Sequence, residues 1–274
     1  MFVGEAYESV ATAFLHGDDA LLVDTLASSE DATWLRNYLV DQVGATVRVI
    51  VATHYMSDHL AGLRLYPDAE IVAQRLYSFT FLSQRGRTAQ ELRDYVEPTT
   101  VFGDSLSLQW GRHRLHLFHN PGKTVCTVNI DVPDCDLAFA GDNIVGNIVY
   151  LSRSTPDLID QAIARLQQLQ RSRIIGGHIG VFGRSTLANA RLYLRNLSDA
   201  VVGIYRTQGE EITPRLISAI TIESCLAPHV VPTAFEREWH SRNLAVIVEH
   251  GTFRLEAMQS APHEASAPRL ATVA

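Results

Sequence analysis

The stretch "VATHYMSDHLAG", Val51 to Gly62, places two imidazoles and a carboxylate, His54, Asp58 and His59, within six residues. Three more side chains of the same kinds follow: His119 in "FHNPGKT", Asp142 in "AGDN" and His178 in "GGHIG". Imidazole nitrogens mixed with carboxylate oxygens are the donors that a borderline cation such as Zn²⁺ or Fe²⁺ takes. A metal held with an open position can activate a water and polarise a carbonyl or phosphoryl oxygen. Each residue also has a plainer reading. Asp58 suits a helix N-cap, Asp142 a turn after Gly141, and His178 a strand exit after two glycines. The full set in chain order, on the ends of separate apolar runs, is what points to a metal centre. Around it, Lys123 offers a compact charge with three donors. It suits a substrate carboxylate or phosphate, an offset for the two aspartates, or an ordinary solvated loop. Tyr55 and Tyr150 are candidate pocket walls or oxyanion donors, with plain aromatic packing as the alternative.

Such residues need elements that bring them together. "TAFLHGDDALLVDT" is two apolar runs around Gly17-Asp18-Asp19, a hairpin signal. A helical pattern opens at Ser29 and closes at Gly44. "TVRVIVAT" is a buried strand that ends at the His54 cluster. A helix from about Leu60 to Leu65, a strand "AEIVA" and a helix from about Arg75 to Leu82 come next. The short strands from Thr99 to Ala140 ("TTVFG", "SLSLQW", "HRLHLFHN", "VCTVNI" and "LAFAG") read as a largely antiparallel meander. Ser154-Thr155-Pro156-Asp157 starts a helix whose apolar stripe runs from Leu158 to Leu169. "RIIGGH" is a strand ending in a turn, and helices cover about Thr186 to Gln208, Pro214 to Ile220 and Pro232 to His250. The class is α/β, with sheets inside and helices outside. Residues 1–254 read as one domain, helical at about 184–250. Residues 255–274, rich in Ala, Ser and Pro, read as a disordered tail.

Composition narrows the functions. The 274 residues are 46% hydrophobic and carry a net charge of -7 without a basic stripe, which argues against a nucleic-acid partner. No apolar run approaches the roughly 18 residues that span a bilayer, and no signal peptide is evident at the N-terminus. Cys126, Cys135 and Cys225 form no C-x-x-C pair and suit free thiols in a reducing compartment. The expectation is a cytoplasmic protein that acts on a small molecule away from any membrane, with a homo-oligomer left open.

The motifs "HYMSDH" (His54 to His59), "HNPGKT" (His119 to Thr124), "AGDN" (Ala140 to Asn143) and "GGHIG" (Gly176 to Gly180) together resemble the metallo-β-lactamase superfold family. "DTL" at Asp24 matches that family's second-strand exit. "YLRNL" at Tyr193 to Leu197 and "HSRN" at His240 to Asn243 resemble its glyoxalase-II-like branch. The resemblance implies a four-layer αββα sandwich with extra C-terminal helices. It also implies two metal positions. His54, the residue at Met56 and His119 would form the first; Asp58, His59 and His178 would form the second, with Asp142 bridging both. Met56 stands where the family has a histidine, and a thioether is a weak ligand for Zn²⁺. Lys123 stands where the family often has a further histidine, and Ile179 replaces a glycine.

An asymmetric site follows, strong at the second position and weak at the first. The resemblance implies a zinc-dependent hydrolase of a small ester, thioester, lactone or amide, with one or two ions. Asp58 or Asp142 would orient the attacking water, and His54 and His119 would move a proton or hold the oxyanion. The same donors suit an iron-dependent oxygenase or oxidoreductase. A relative that binds metal without catalysis is the third reading.

Overall fold

The structure, a computed structural model, describes residues 1–84, 86–209 and 212–254. The tail at 255–274 that the composition marks as disordered lies outside them. Among the described residues, twelve strands form two six-stranded sheets. In the first, β1 (Phe2–Val3), β2 (Val10–His16), β3 (Asp19–Val23), β4 (Thr46–Val51), β5 (Glu70–Gln74) and β6 (Thr100–Phe102) lie side by side in chain order. The second contains β7 (Ser105–Trp110), β8 (His113–His119), β9 (Val128–Val132), β10 (Leu137–Gly141), β11 (Arg173–Gly176) and β12 (Val181–Gly183), again as neighbours in that order.

The layers follow from what each face buries. Val10, Leu21, Val23, Val51 and Val72 of the first sheet meet Leu115, Leu117, Val128, Ile130 and Phe139 of the second in an inner core. Outside the first sheet, α1 (Ser29–Asn37) and α2 (Tyr77–Ser83) set Leu35, Tyr77 and Phe81 against Leu22 and Ile50. Outside the second, α4 (Pro156–Gln168) and α5 (Ser185–Thr207) set Ile159, Ile163, Leu187 and Leu194 against Ala138 and Ile174. This is the expected αββα sandwich. Thr155 caps α4 through its side chain, and Pro156 occupies the first turn, as the sequence predicts.

Two expectations need correction. The segment from Leu60 to Leu65 is no α-helix; it lies between 3₁₀ turns at Ser57–His59 and Leu63–Leu65. Its backbone is committed elsewhere, because His59 O accepts from Thr25 N at 2.7 Å and Ala61 N donates to Leu26 O at 3.1 Å. The strand "TTVFG" does not belong to the meander. As β6 it pairs parallel with β5 in the first sheet, and the antiparallel run is β7 to β10. Between Ser83 and Tyr95 lies α3 (Ala89–Asp94), opened by a capping box between Thr88 and Glu91. The cysteines are free, as expected. Among the described residues no helix is long and apolar enough to cross a membrane.

The C-terminal helices are tied to the loop after β10. They are α6 (Thr213–Ser218), α7 (Ile222–Cys225) and α8 (Ala234–His250). Glu236, buried in the first turn of α8, accepts from Thr233 N at 2.7 Å and from Asn147 N at 2.6 Å. Asn243 on the same helix accepts from Leu151 N at 2.9 Å and donates to Val149 O at 2.7 Å. Glu236→Ala removes half of the capping box and leaves the half-buried Asn147 amide unpaired, so it should lower the unfolding free energy by roughly 2–4 kcal/mol. Urea denaturation measures this; a loss below about 1 kcal/mol would show that the tie carries little stability.

Candidate metal centre

Parallel pairing puts the carboxyl ends of β3 and β4 on one edge of the first sheet, and those of β10 and β11 on one edge of the second. Two backbone bonds stitch these edges together: Val10 N donates to Gly177 O at 2.9 Å, and Val128 N donates to Thr53 O at 2.7 Å. Asp24, the loop from Thr53 to His59, Asp142 and His178 therefore emerge on one rim. Gly177 is required there, since a Cβ would run into Asp142 Oδ1 and His59 Cε1.

The rim gathers Asp58, His59, Asp142 and His178, each offering one ligand atom within 4.8 Å of the others. His59 Nε2 lies 3.2 Å from His178 Nε2 and 3.2 Å from Asp142 Oδ1. His178 Nε2 lies 3.4 Å from Asp142 Oδ1, and Asp58 Oδ2 is 3.6 Å from His178 Nε2 and 3.9 Å from His59 Nε2. A tetrahedral ion with ligands at 2.0–2.2 Å separates them by about 3.3–3.6 Å, so the residues fit a divalent metal. Asp142 Oδ1 is buried with no hydrogen-bond partner, which a cation would supply.

Neighbouring groups fix which nitrogen faces the centre. His178 Nδ1 donates to Tyr7 O at 2.6 Å, leaving Nε2 to point inward. His59 Nδ1 lies 3.2 Å from Asp24 Oδ2, out of line for a hydrogen bond but close enough to favour the proton on that nitrogen. Asp24 itself accepts from Thr53 N at 2.8 Å and from Thr53 Oγ1 at 2.7 Å. That hydroxyl has spent its proton on Asp24, so it accepts from His54 Nδ1 at 3.0 Å. His54 Nε2, fully buried and unpartnered, then faces Asp142 Oδ2 at 3.5 Å. Asp24 and Thr53 have this role although the sequence marks Asp24 only as a strand exit; its φ of 57° is the local peculiarity.

Electrostatics show the same demand for positive charge. Burial works to lower the His59 pKa, but Asp142 and Asp58 overcome it and hold it well above the ordinary imidazole value. Burial works to raise the Asp142 pKa, and His59, His178 and His54 bring it well below the usual carboxylate range.

The remaining residues divide. His119 stays outside the group. It ends β8 half-buried, and its Nε2 donates to Val125 O at 2.7 Å. Met56 is half-buried against the first sheet's outer core. Lys123, four residues after His119, is only 2% exposed. Its Nζ donates to Ser152 Oγ at 2.8 Å and lies 4.1 Å from the centre of the Tyr150 ring. Burial lowers its pKa to about 8 against the pull of Asp142 and Asp58. Tyr150 packs edge-on against Trp239 of α8 at 4.5 Å, and its buried hydroxyl has no partner. Trp239 in turn carries the Arg242 guanidinium 4.3 Å from its ring centre. Tyr55 is buried, and its hydroxyl accepts from Arg153 Nη1 at 3.4 Å. His178 stacks on Phe235 of α8 at 5.4 Å, so the C-terminal helices wall the centre.

Known proteins agree with this architecture. The family model described as "Metallo-beta-lactamase superfamily" matches residues 6–178. A search of the curated proteins finds no match. Among solved structures, a metallo-beta-lactamase from Pontibacter korlensis is 20% identical with a TM-score of 0.59, over 69% of this chain and 87% of that one. A metallo-beta-lactamase from Erythrobacter litoralis is 16% identical with a TM-score of 0.55, over 65% and 81%. The stereoselective inverting sec-alkylsulfatase Pisa1 from Pseudomonas sp. is 16% identical with a TM-score of 0.63. That match takes in 88% of this chain and only 47% of the sulfatase. At these identities the likeness is one of fold, while the family match spans well over half of the chain and takes in every member of the rim. The chain belongs to the metallo-β-lactamase superfamily.

Proposed function

We propose that this chain is a metal-dependent hydrolase of a small ester, thioester, lactone or amide, with one divalent ion held by Asp58, His59, Asp142 and His178. The carrying observation is that these four groups each bring one ligand atom within 4.8 Å of the others, around an unpaired, buried Asp142 oxygen. When bound, such an ion supplies a Lewis acid and a water of lowered pKa. The chain's own residues do the rest. Asp24, Thr53 and the Tyr7 carbonyl hold the imidazoles in the ligating tautomer. His54 Nε2 carries a lone pair into the site and is placed to take a proton. The Tyr150 hydroxyl and Lys123 Nζ are the donors for an oxyanion.

Charge supports a single ion. Three carboxylates (Asp24, Asp58 and Asp142) stand against one buried ammonium, Lys123, so one dication brings the sum to zero. The first position implied by the resemblance keeps His54 but has His119 turned away and an ammonium nearby. The two stretches that resemble the glyoxalase-II-like branch support membership of that branch. They meet in the structure, where Tyr193 Oη lies 2.9 Å from His240 Nδ1 and accepts from Asn243 Nδ2 at 3.1 Å. Two imidazoles and two carboxylates suit iron as well as zinc, which keeps the redox reading as the second one. Zinc near one equivalent favours hydrolysis; iron with visible absorption and oxygen consumption favours the oxygenase.

His59→Ala, His178→Ala and Asp142→Asn should each lose the metal and all hydrolysis. Elemental analysis of the purified variants checks this, and a full equivalent in any of them would remove that residue from the ligand set. Chelation of the wild-type protein should lower its stability, by about 2.7 kcal/mol relative to protein in metal at a hundred times its Kd. An unchanged melting curve would argue against a site of that affinity. Met56→His should stay near one ion per chain, since Lys123 and the orientation of His119 both oppose a second. A rise to two would overturn the mononuclear reading.

A further inference from the structure

Beside the metal centre lies a recess of about 70 Å³, walled by Tyr55, Met56, Ser57, Gln84, Arg87 and Arg153. Three of these residues immediately precede Asp58, so the recess begins on the loop that supplies a ligand. Its volume holds a few waters or one compact headgroup, not a whole substrate. Two guanidiniums line it. Arg87 is half-buried, with its Cζ 3.6 Å from the centre of the Phe81 ring, its Nε donating to Phe81 O at 2.6 Å, and Glu91 3.6 Å away. Arg153 donates to Gln84 and to the Tyr55 hydroxyl, both uncharged, and no carboxylate pairs with it among the described residues. It is also held at φ 66°, a disfavoured backbone state for a residue with a side chain, of the kind that gathers at ligand clamps.

These observations fit together electrically. Glu91 offsets Arg87, and one dication neutralises the rim, so Arg153 is left as surplus positive charge at the mouth. A planar guanidinium fork matches a carboxylate, phosphate or sulfate. We propose that Arg153 and Arg87 form a subsite for an oxyanion carried by the substrate, on a part of the molecule away from the bond that is cut. Tyr55, Ser57 and Glu91 also border a cavity of about 450 Å³ lined by Leu60, Leu63, Tyr77, Phe81 and Tyr95, which gives room for an apolar remainder. The inference rests on the hydrolase reading and narrows its substrates to anionic ones.

The probe is inorganic sulfate, titrated calorimetrically into the full chain with metal bound and after chelation. Sulfate should bind in both states. Its affinity should fall at least tenfold in Arg153→Gln, with metal content unchanged, and should not move in Arg114→Gln, an exposed arginine on β8. Arg87→Gln should behave like Arg153→Gln; because Arg87 also supports the Phe81 carbonyl, the exposed Arg153 carries the decision. Sulfate binding that ignores both substitutions overturns the subsite, as does binding that disappears on chelation alone or is absent from the wild type. A chain that takes up no metal yet loses sulfate through Arg153→Gln would sink the hydrolase reading and keep the anion subsite.

Discussion

Electron pairs facing one another in a buried pocket are the constraint on which the rest of this molecule depends. His54, His59 and His178 all direct nitrogens at the Asp142 carboxylate, and Asp58 adds a second charge from the partly open side. Without a cation the arrangement repels itself, and the pull of the carboxylates on His59 expresses that imbalance as a tendency to hold a proton. Hydrogen bonds to His54 and His178, and the Asp24 carboxylate beside His59, keep the rings from turning away. Thr53, Asp24 and the Tyr7 carbonyl each fix an atom that does not touch the centre, so the atoms that do are left no alternative partner.

Two twisted sheets keep such a site rigid because their edges are bonded across the sandwich. The links from Val10 to Gly177 and from Val128 to Thr53 are backbone bonds, indifferent to side-chain identity. They fix the spacing between the strand exits that supply His54 and His178. The side chains then need only grow from fixed points, and a glycine at 177 lets Asp142 and His59 approach each other.

Much of this is legible in the chain itself. Asp58, His59, Asp142 and His178 follow strongly apolar strands, and a strand end is the place where direction is least ambiguous. His119 and Lys123 are different. Both lie on the turn "HNPGKT", where reversal of direction within four residues decides which side chain enters the interior, and periodicity says nothing about that. The turn is set by Gly122 packed against Asn143, whose Oδ1 accepts from Lys123 N at 2.9 Å. That contact spans 20 residues and brings lysine, not histidine, inside. The missed 3₁₀ turns at 57–65 have the same origin, since their hydrogen bonds go to Thr25 and Leu26 across the fold. The place of β6 likewise depends on a parallel partner that no local pattern can name.

The setting of Lys123 has a consequence for where the centre obtains its charge. Its ammonium is solvated by one hydroxyl and the face of Tyr150, with Trp239 6.0 Å away, in place of water. Below its pKa of about 8 this charge cannot be chelated away or exchanged for another element. With one dication bound, a third of the positive charge at the rim is thus written into the polypeptide and inherited with it. Only the remainder has to be scavenged from the surroundings.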